Sequence, residues 1–256
     1  MCSFWNVSRF AQAKIYMRFN NQPDIVVIIT FLINLVMFFI NIKLGSVIPM
    51  YVGGIISFAM ITYWSIRRDG SVMLRRSLIV GSMGGFFYTF VDRIFVDGQI
   101  IKYLRGGDLR IYQTPVSTIL IWMYFIVILL YIYQRLRGYF STTYIPSLLA
   151  GSVAFVLAFI FNYFGDRSRL WVWNANLTNM PFIMTVPLFV PLAFYITFFL
   201  SPYILGTEGI VPSPGDTFWS RYIKAANNPI VGGIRCAIML SVSLFALLQI
   251  FLRLLP

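Results

Sequence analysis

The feature that most constrains this fold is a series of long apolar runs with almost no charged residues inside them. A transmembrane helix needs about 20 consecutive, mostly apolar residues to cross the hydrocarbon core of a bilayer. Runs of roughly this length follow one another at 24–42, 46–66, 77–97, 115–134, 144–164, 181–204 and 230–252. The sequence therefore predicts an all-α, polytopic integral membrane protein with about seven transmembrane helices and no strands.

The composition agrees with a bilayer as the surroundings of the chain. Of its 256 residues, 59% are hydrophobic and 11% are charged, whereas a soluble domain carries about 25% charged residues. The net charge of +12 comes from 20 Lys and Arg against 8 Asp and Glu. Because these cations stand in short clusters between apolar runs, they suit contact with anionic lipid headgroups. We therefore expect membrane lipid as a partner and no nucleic acid.

The sequence also excludes several classes of site. It contains no histidine, which removes histidine-ligated metal centres, haem with histidine ligands and a histidine general base. Its two cysteines, Cys2 and Cys236, are far apart and lack metal-ligand spacing. The last apolar run has no lysine that could form a retinal Schiff base. We expect neither a metal nor a cofactor.

The whole chain, 1–256, is predicted to form a single membrane domain. Residues 1–23 combine aromatic residues and cations at helical spacing, which is typical of a helix lying in the membrane interface. A core of six helices follows at 24–204. The segment 205–229 is predicted to be a loop with a second interfacial helix, and 230–256 contains the last transmembrane helix.

Two prolines, Pro187 and Pro191, fall inside the apolar run at 181–204. Proline in a helix interior removes a backbone hydrogen bond and clashes with the preceding turn. The carbonyl groups that it frees must be paired with protein rather than lipid. We therefore expect a kinked or broken helix here, surrounded by other helices.

An Asp-Arg pair occurs twice in similar surroundings. Each pair is followed by a proline and then an aromatic residue: Asp92, Arg93, Pro115 and Trp122, and again Asp166, Arg167, Pro187 and Phe194. In both copies the aromatic residue stands seven positions after the proline, and the two Asp-to-Pro distances differ by two. This predicts a tandem two-helix pseudo-repeat over 77–134 and 144–204, with an acid at the same place in each copy. Copies two helices apart run parallel, related by an axis along the membrane normal.

Ionisable groups beside hydrocarbon are costly, so these pairs mark a candidate site. The candidate catalytic residues are Asp166, Asp92, Arg167 and Arg93. The candidate substrate-binding residues are Asn162, Trp171, Trp173, Asn174, Trp122, Pro187 and Pro191. A second interpretation stays open, in which the pairs end their helices at the headgroup level, the tryptophans form an interfacial belt and the asparagines satisfy backbone groups.

The residues at 186–205 carry a resemblance to a known family. They begin Val-Pro, have a second proline shortly after, and close with an aromatic residue and Ser-Pro-Tyr. Before them come a helix that ends in Asp166 and an aromatic hairpin with Trp171 and Trp173. In these features the chain resembles the membrane-integral carotenoid-biosynthesis family that includes bisanhydrobacterioruberin hydratases. Where the family has a glutamate, this chain has Asn162, so the resemblance gives the role of the acid to Asp166.

The resemblance implies an enzyme that hydrates or cyclises a membrane-dissolved carotenoid or related isoprenoid by acid catalysis. A protonated carboxyl of Asp166, together with Asp92, would donate a proton to a terminal C=C bond. Trp171 and Trp173 would shelter the resulting cation. Two alternatives remain open: a non-enzymatic lipid-binding or assembly protein, and a small-molecule transporter. The oligomeric state is not predicted.

Charge counting predicts the orientation in the cytoplasmic membrane. The cations of one side form clusters at 9–18, 67–76, 135–137 and 221–224. Because cytoplasmic loops carry an excess of Lys and Arg, these clusters place the N-terminus inside and the C-terminus outside. The cluster of Lys102, Arg105 and Arg110 on the other side argues against this orientation.

Overall fold

The computed structural model describes residues 21–67, 72–140, 142–174, 180–205 and 228–254. The helices of these ranges are α1 (Asn21–Leu44), α2 (Ile48–Ile66), α3 (Val72–Asp97), α4 (Val116–Arg137), α5 (Tyr144–Arg167), α6 (Phe189–Phe199), α7 (Ser201–Leu205) and α8 (Pro229–Leu254). The strands are β1 (Ile101–Tyr103), β2 (Arg110–Ile111), β3 (Thr114–Pro115), β4 (Trp171–Trp173), β5 (Phe182–Ile183) and β6 (Val186–Pro187). Both predicted interfacial helices lie outside the described residues.

Six described helices, α1 to α5 and α8, are long and apolar enough to cross a membrane. Their outer faces carry exposed aliphatic side chains, such as Ile28, Ile55 and Val242, which are 58%, 60% and 60% exposed. Lipid rather than water is the natural solvent for such faces, since each apolar side chain left in water is costly. The prediction of an all-α, polytopic integral membrane protein is confirmed. The prediction of no strands is wrong, because short strands pair antiparallel in the connections between the helices.

The run at 181–204 differs from the predicted single helix. It forms the β5–β6 hairpin and then the short helices α6 and α7. Pro187 ends β6, and Pro191 lies in the first turn of α6, where a missing N–H breaks no helical hydrogen bond. The break instead separates Phe199 from Ser201, just before Pro202. Proline at the start of a helix is favourable, so the chain uses all three prolines at element boundaries.

Helices α6 and α7 follow one another with a break at Leu200. The β5–β6 hairpin lies at the end of the bundle where α5 finishes, because Trp173 of β4, shortly after α5, packs against Phe189 at the start of α6 with ring centroids 5.6 Å apart. At the other end, the Arg76 guanidinium near the start of α3 donates to the carbonyl of Leu205 in α7. The two short helices therefore extend between the opposite ends of the bundle.

Helix α4 is the centre of the bundle. Of its apolar stretch, 78% of the residues are buried, against 33–44% in the other five long helices. It packs against α2, α3 and α5. Side chains from all around its axis, including Tyr124, Leu129 and Leu130, are fully buried. A helix that is apolar on every side is expected at such a position.

Glycines allow α3 to approach α4 until backbone meets backbone. A Cβ atom at Gly81 would lie 2.6 Å from the Val127 nitrogen, and one at Gly85 would lie 2.6 Å from the Met123 Cα. Small residues permit this approach in membrane helices, where close van der Waals contact holds helices together. The glycines of α3 therefore serve helix packing.

Two successive stretches of chain have the same order of elements. The first stretch is α3, β1, β2, β3 and α4, and the second is α5, β4, β5, β6 and α6. Strands β1 and β4 pair antiparallel, with Ile101 opposite Trp173 and Tyr103 opposite Trp171. The pairing is therefore symmetric about Lys102 and Val172, and a local twofold axis passes between these two residues.

Backbone hydrogen bonds define which residues of the two stretches correspond. After α3, Gly98 donates to Ile94 and Ile100 to Phe95; after α5, Ser168 donates to Phe164 and Leu170 to Gly165. Gln99 and Arg169 both have a positive φ, of 57° and 54°. Position 168 in the second stretch therefore corresponds to position 98 in the first, and the neighbouring residues correspond by the same shift. By this shift Asp92 corresponds to Asn162, and the predicted correspondence of Asp92 with Asp166 is wrong by one helical turn.

The hairpins correspond with a slightly larger shift. Val116 donates to Leu109 in the first stretch, and Leu188 donates to Pro181 in the second. Tyr112 and Met184 occupy the same turn position, with φ of 57° and 56°. Residues 112 and 184 therefore correspond, and this shift also matches Pro115 with Pro187 and Trp122 with Phe194.

The glycine contact between α3 and α4 leads to a first prediction. We expect Gly85→Ala to lower the free energy of unfolding by about 1–3 kcal/mol, because its methyl group would overlap the α4 backbone. On helix propensity alone the same change would stabilise by about 1 kcal/mol. Unfolding in mixed detergent micelles measures the effect. Gly106→Ala is the control, since nothing lies within 4 Å of its Cβ position; equal stability of both variants would contradict the packing argument.

Candidate functional site at the paired strands

The Asp92 carboxyl is buried near the end of α3, where it is 2% exposed. Its Oδ2 atom accepts two hydrogen bonds, from the Tyr103 hydroxyl at 2.7 Å and from the Thr114 hydroxyl at 2.6 Å. Within the described ranges no residue donates a hydrogen bond to its Oδ1 atom. One oxygen is therefore held by two donors, while the other is left to bind a proton.

Two strands position the hydroxyl groups that hold Asp92. In β1 the side chains alternate, so that Ile101 and Tyr103 are buried and Lys102 is exposed. In β3, Thr114 is 1% exposed beside Pro115, which begins α4. Since β1 is fixed by β4 and β3 is fixed by β2, both donors come from paired backbone rather than from free loops.

The hydroxyl of Tyr103 remains a donor at any ordinary pH. Burial, together with the neighbouring Asp92 carboxyl, raises the pKa of Tyr103 well above its usual value near 10.0. Both causes disfavour the phenolate, because burial removes water and a carboxylate repels a second negative charge. The hydrogen bond to Asp92 therefore persists in both protonation states of the carboxyl.

Asn162 forms the corresponding contact in the second stretch. It is fully buried, and its Oδ1 accepts a hydrogen bond from Trp173 Nε1 at 3.1 Å. Its Nδ2 donates to the Ala158 carbonyl at 2.8 Å. Trp173 corresponds to Tyr103 by the same shift that relates Asn162 to Asp92. The two halves thus contain equivalent polar contacts, with a carboxyl in one and a neutral amide in the other.

A group of stacked aromatic side chains, which we call the aromatic cluster, lies beside Asp92. It consists of Tyr88, Trp122, Phe125, Trp171 and Phe194. The Trp122 ring stacks on Phe194 with a centroid distance of 5.3 Å and on Trp171 at 6.4 Å. Its edge contacts Tyr88, at 5.7 Å, and Tyr88 stands one helical turn before Asp92 on α3. Tyr88 therefore connects the aromatic cluster to the part of α3 that carries Asp92.

Two indole N–H groups in the aromatic cluster are buried without a partner. Trp122 Nε1 and Trp171 Nε1 have no hydrogen-bond acceptor among the described residues, and neither does the nearby Thr118 hydroxyl. A buried donor without a partner costs about 1–3 kcal/mol. Unpaired polar atoms beside a buried carboxyl are expected where a ligand or water binds.

Gly165 creates the space for Trp171. A Cβ atom at this position would lie 2.1 Å from the Trp171 ring. The indole therefore lies directly on the α5 backbone and reaches Trp122 on the far side. This contact explains why the predicted motif has a glycine directly before Asp166.

The structure separates the predicted catalytic residues instead of bringing them together. Asp166 is half-buried, and its carboxyl forms no hydrogen bond or ion pair with another described residue. Arg167 is exposed, with its guanidinium 5.4 Å from the Tyr163 ring. Arg93 also points away from Asp92 and pairs with Asp97 at 3.3 Å, at the surface. Among the described residues, the two Asp-Arg pairs form no hydrogen bond or ion pair with each other.

The remaining predicted binding residues fall into two groups. Trp122 and Trp171 belong to the aromatic cluster, and Trp173 is its neighbour through the hydrogen bond to Asn162. Asn174 has a structural contact, in which its Nδ2 donates to the Gln99 carbonyl at 2.6 Å and joins the two halves. Pro187 and Pro191 are buried at the start of α6, where they restrict the backbone conformation.

Tyr103, Thr114 and Tyr88 belong to no motif that the sequence shows. The alternation of Ile101, Lys102 and Tyr103 is the one local signal of a strand, but three residues are too few to stand out from a loop.

Among the described residues, no group of three or more acidic or cysteine side chains is arranged to hold a metal ion.

Comparisons with protein-family models, with curated proteins and with solved structures find no match to this chain. The resemblance to the carotenoid-biosynthesis family therefore stays a prediction.

This geometry predicts different responses to two substitutions of Asp92. Asp92→Asn should keep the fold, because an amide oxygen still accepts from Tyr103 and Thr114, as the Asn162 amide does from Trp173. Asp92→Ala should lower the free energy of unfolding by roughly 1–3 kcal/mol per hydroxyl left unpaired. Thermal unfolding in detergent measures both. Asp166→Ala is the matched control and should unfold like the wild type; equal losses at both positions would contradict this assignment.

Proposed function

We propose that the protein is a membrane enzyme that hydrates or cyclises a membrane-dissolved isoprenoid by acid catalysis, with Asp92 as the proton donor. The observation that carries the proposal is the buried Asp92 carboxyl, with one oxygen held by Tyr103 and Thr114 and the other free beside the aromatic cluster. The substrate class, a carotenoid or related polyene, comes from the resemblance. The acid is assigned to Asp92 in place of Asp166.

The arrangement suits a protonated carboxyl that acts as a general acid. With its carbonyl oxygen, Oδ2, accepting two hydrogen bonds, the carboxyl has its proton on Oδ1. Transfer of this proton to a terminal C=C bond forms a C–H bond and breaks the π bond, which leaves a carbocation. Tyr103 and Thr114 then stabilise the Asp92 carboxylate, since hydrogen bonds to a charged acceptor are the stronger ones.

The aromatic cluster suits the cation that this step produces. Faces of Trp and Tyr rings attract a positive charge by roughly 0.5–2 kcal/mol each, more when water is excluded. In a hydration, water adds to the cation and returns one proton to Asp92. In a cyclisation, a neighbouring double bond attacks the cation to close a ring, and the new cation loses a proton to the Asp92 carboxylate, which restores a C=C bond. Trp122 and Trp171 are 6% and 1% exposed. A substrate therefore reaches them from the bilayer only when neighbouring helices separate.

The test compares two isosteric variants in a carotenoid-producing host. Wild type should form a new hydrated or cyclised pigment, detected by chromatography and mass spectrometry of cell extracts. Asp92→Asn should reduce that product at least about 100-fold, the usual contribution of a general acid. Asp166→Asn should retain it, because the Asp166 carboxyl takes no part in the contacts that hold the Asp92 carboxyl.

Protein level and thermal unfolding of each variant in membranes control for folding. The proposal is overturned if Asp92→Asn makes the wild-type product at the wild-type rate. It is also overturned if well-folded wild type leaves every pigment of the host unchanged, which would favour a non-enzymatic membrane protein.

We infer an orientation with the α1 N-terminus in the cytoplasm and the C-terminus of α8 outside, on the cytoplasmic membrane. The charge distribution supports this inference. Because α1, α3 and α5 then end outside, the loop with Gly106 is outside and Gly138, after α4, is inside.

Single cysteines at these two exposed glycines test the orientation. In a background with Cys2→Ser and Cys236→Ala, a membrane-impermeant maleimide should label Gly106→Cys in intact cells. It should label Gly138→Cys only after the cells are made permeable. The reverse pattern would show the opposite orientation, and labelling of both from outside would contradict the helix count.

A further inference from the structure

An open groove of about 840 Å³ lies at the end of the bundle where α1 and α5 finish. We call it the basic groove. Its lining comes from three segments: Ile42 to Gly45 at the end of α1, Leu104 to Gly106 after β1, and Arg167 to Arg169 at the end of α5. It is separate from the aromatic cluster, none of whose members lines it.

The basic groove contains four cations and no acid. Lys43, Arg105, Arg167 and Arg169 are among its ten lining residues, and none of the ten is Asp or Glu. Burial, and then the charge of Arg169, lowers the pKa of Arg105. Repulsion between two guanidinium groups indicates positive charge that the lining does not compensate. A bound anion would remove this repulsion.

Arg105 is held in place within the groove. Its guanidinium donates to the carbonyl of Ser168 at 2.5 and 3.1 Å and to Asn41 Oδ1 at 3.3 Å. The Arg105 guanidinium therefore pairs with a backbone carbonyl at the end of α5, and its position is fixed before a ligand binds. The other three cations are exposed and able to turn toward a ligand.

Apolar side chains line the same groove beside the cations. Ile42, Leu44 and Leu104 are 38%, 68% and 42% exposed. Next to the ends of membrane-spanning helices, such side chains contact acyl chains while cations contact phosphates at the headgroup level. A soluble phosphate would use the cations alone, whereas a phospholipid uses both parts of the lining.

We propose that the basic groove binds the phosphate group of an anionic phospholipid, with an acyl chain lying along Ile42, Leu44 and Leu104. Lys43, Arg167 and Arg169 contact the headgroup, and Arg105 fixes the floor of the site. This inference is independent of the proposed catalysis, because it uses a different surface and different residues.

The experiment measures lipid affinity of the full chain in detergent by calorimetric titration. The probes are short-chain phosphatidylglycerol, phosphatidylcholine with the same chains, and inorganic phosphate. Wild type should bind phosphatidylglycerol more tightly than the other two. Lys43→Gln with Arg169→Gln should weaken this binding about 30-fold, at roughly fivefold for each cation removed. Arg105 is left unchanged because its backbone contacts stabilise the fold.

The matched control is Lys102→Gln with Arg110→Gln. It removes the same charge from exposed positions at the same end of the bundle, outside the groove. The control should bind phosphatidylglycerol like the wild type. Equal losses in both double variants would overturn the groove as the site. Undiminished binding by Lys43→Gln with Arg169→Gln would do the same, and tight binding of inorganic phosphate alone would overturn the lipid as its ligand.

Discussion

Strands β1 and β4 carry peptide groups that neither strand can satisfy alone, and their alternate side chains are buried. Their antiparallel pairing solves this problem and joins the two halves, with Leu104 and Asn174 adding one backbone bond each at its ends. Unpaired backbone groups near hydrocarbon cost several kcal/mol each. Tyr103, Trp171 and Trp173 therefore have fixed positions, and so does everything that they contact: the Asp92 carboxyl, the Asn162 amide and the aromatic cluster.

The two halves have the same backbone arrangement, but only one of them has an ionisable side chain at the position of Asp92 and Asn162. Around a local twofold axis, two carboxyls at the positions of Asp92 and Asn162 would each need a proton or a cation, and each would be buried. The amide at Asn162 avoids that cost and still accepts the Trp173 N–H. Thr114, which holds Asp92, is matched by the buried Val186, which offers no hydroxyl. One half therefore holds an acid, while the other half provides aromatic and apolar surface.

Much of the architecture could be predicted from apolar runs alone, because a bilayer sets the length and polarity of each span. The register between the two halves could not. Matching the Asp-Arg pairs aligned Asp92 with Asp166, although the backbone matches Asp92 with Asn162. The connection between β4 and β5 is two residues longer than the corresponding connection between β1 and β2. The sequence shows this difference only as unequal spacing, so the identical Asp-Arg dipeptides led to the wrong alignment. Tyr103 and Thr114 could not be predicted for a related reason, because strands of two or three residues are too short to show the alternation that is typical of a strand.

The burial of α4 on all sides has a consequence for how the chain is made. Each helix of a membrane protein enters the bilayer during synthesis before later helices exist to cover it. When α4 is inserted, α5, α6 and α8 have not yet been made, so lipid surrounds faces that will later contact protein. Its apolar residues are therefore surrounded first by lipid acyl chains and later by neighbouring side chains, and they must be compatible with both. Polar changes such as Leu129→Asn or Leu130→Asn would act on insertion before they could act on packing.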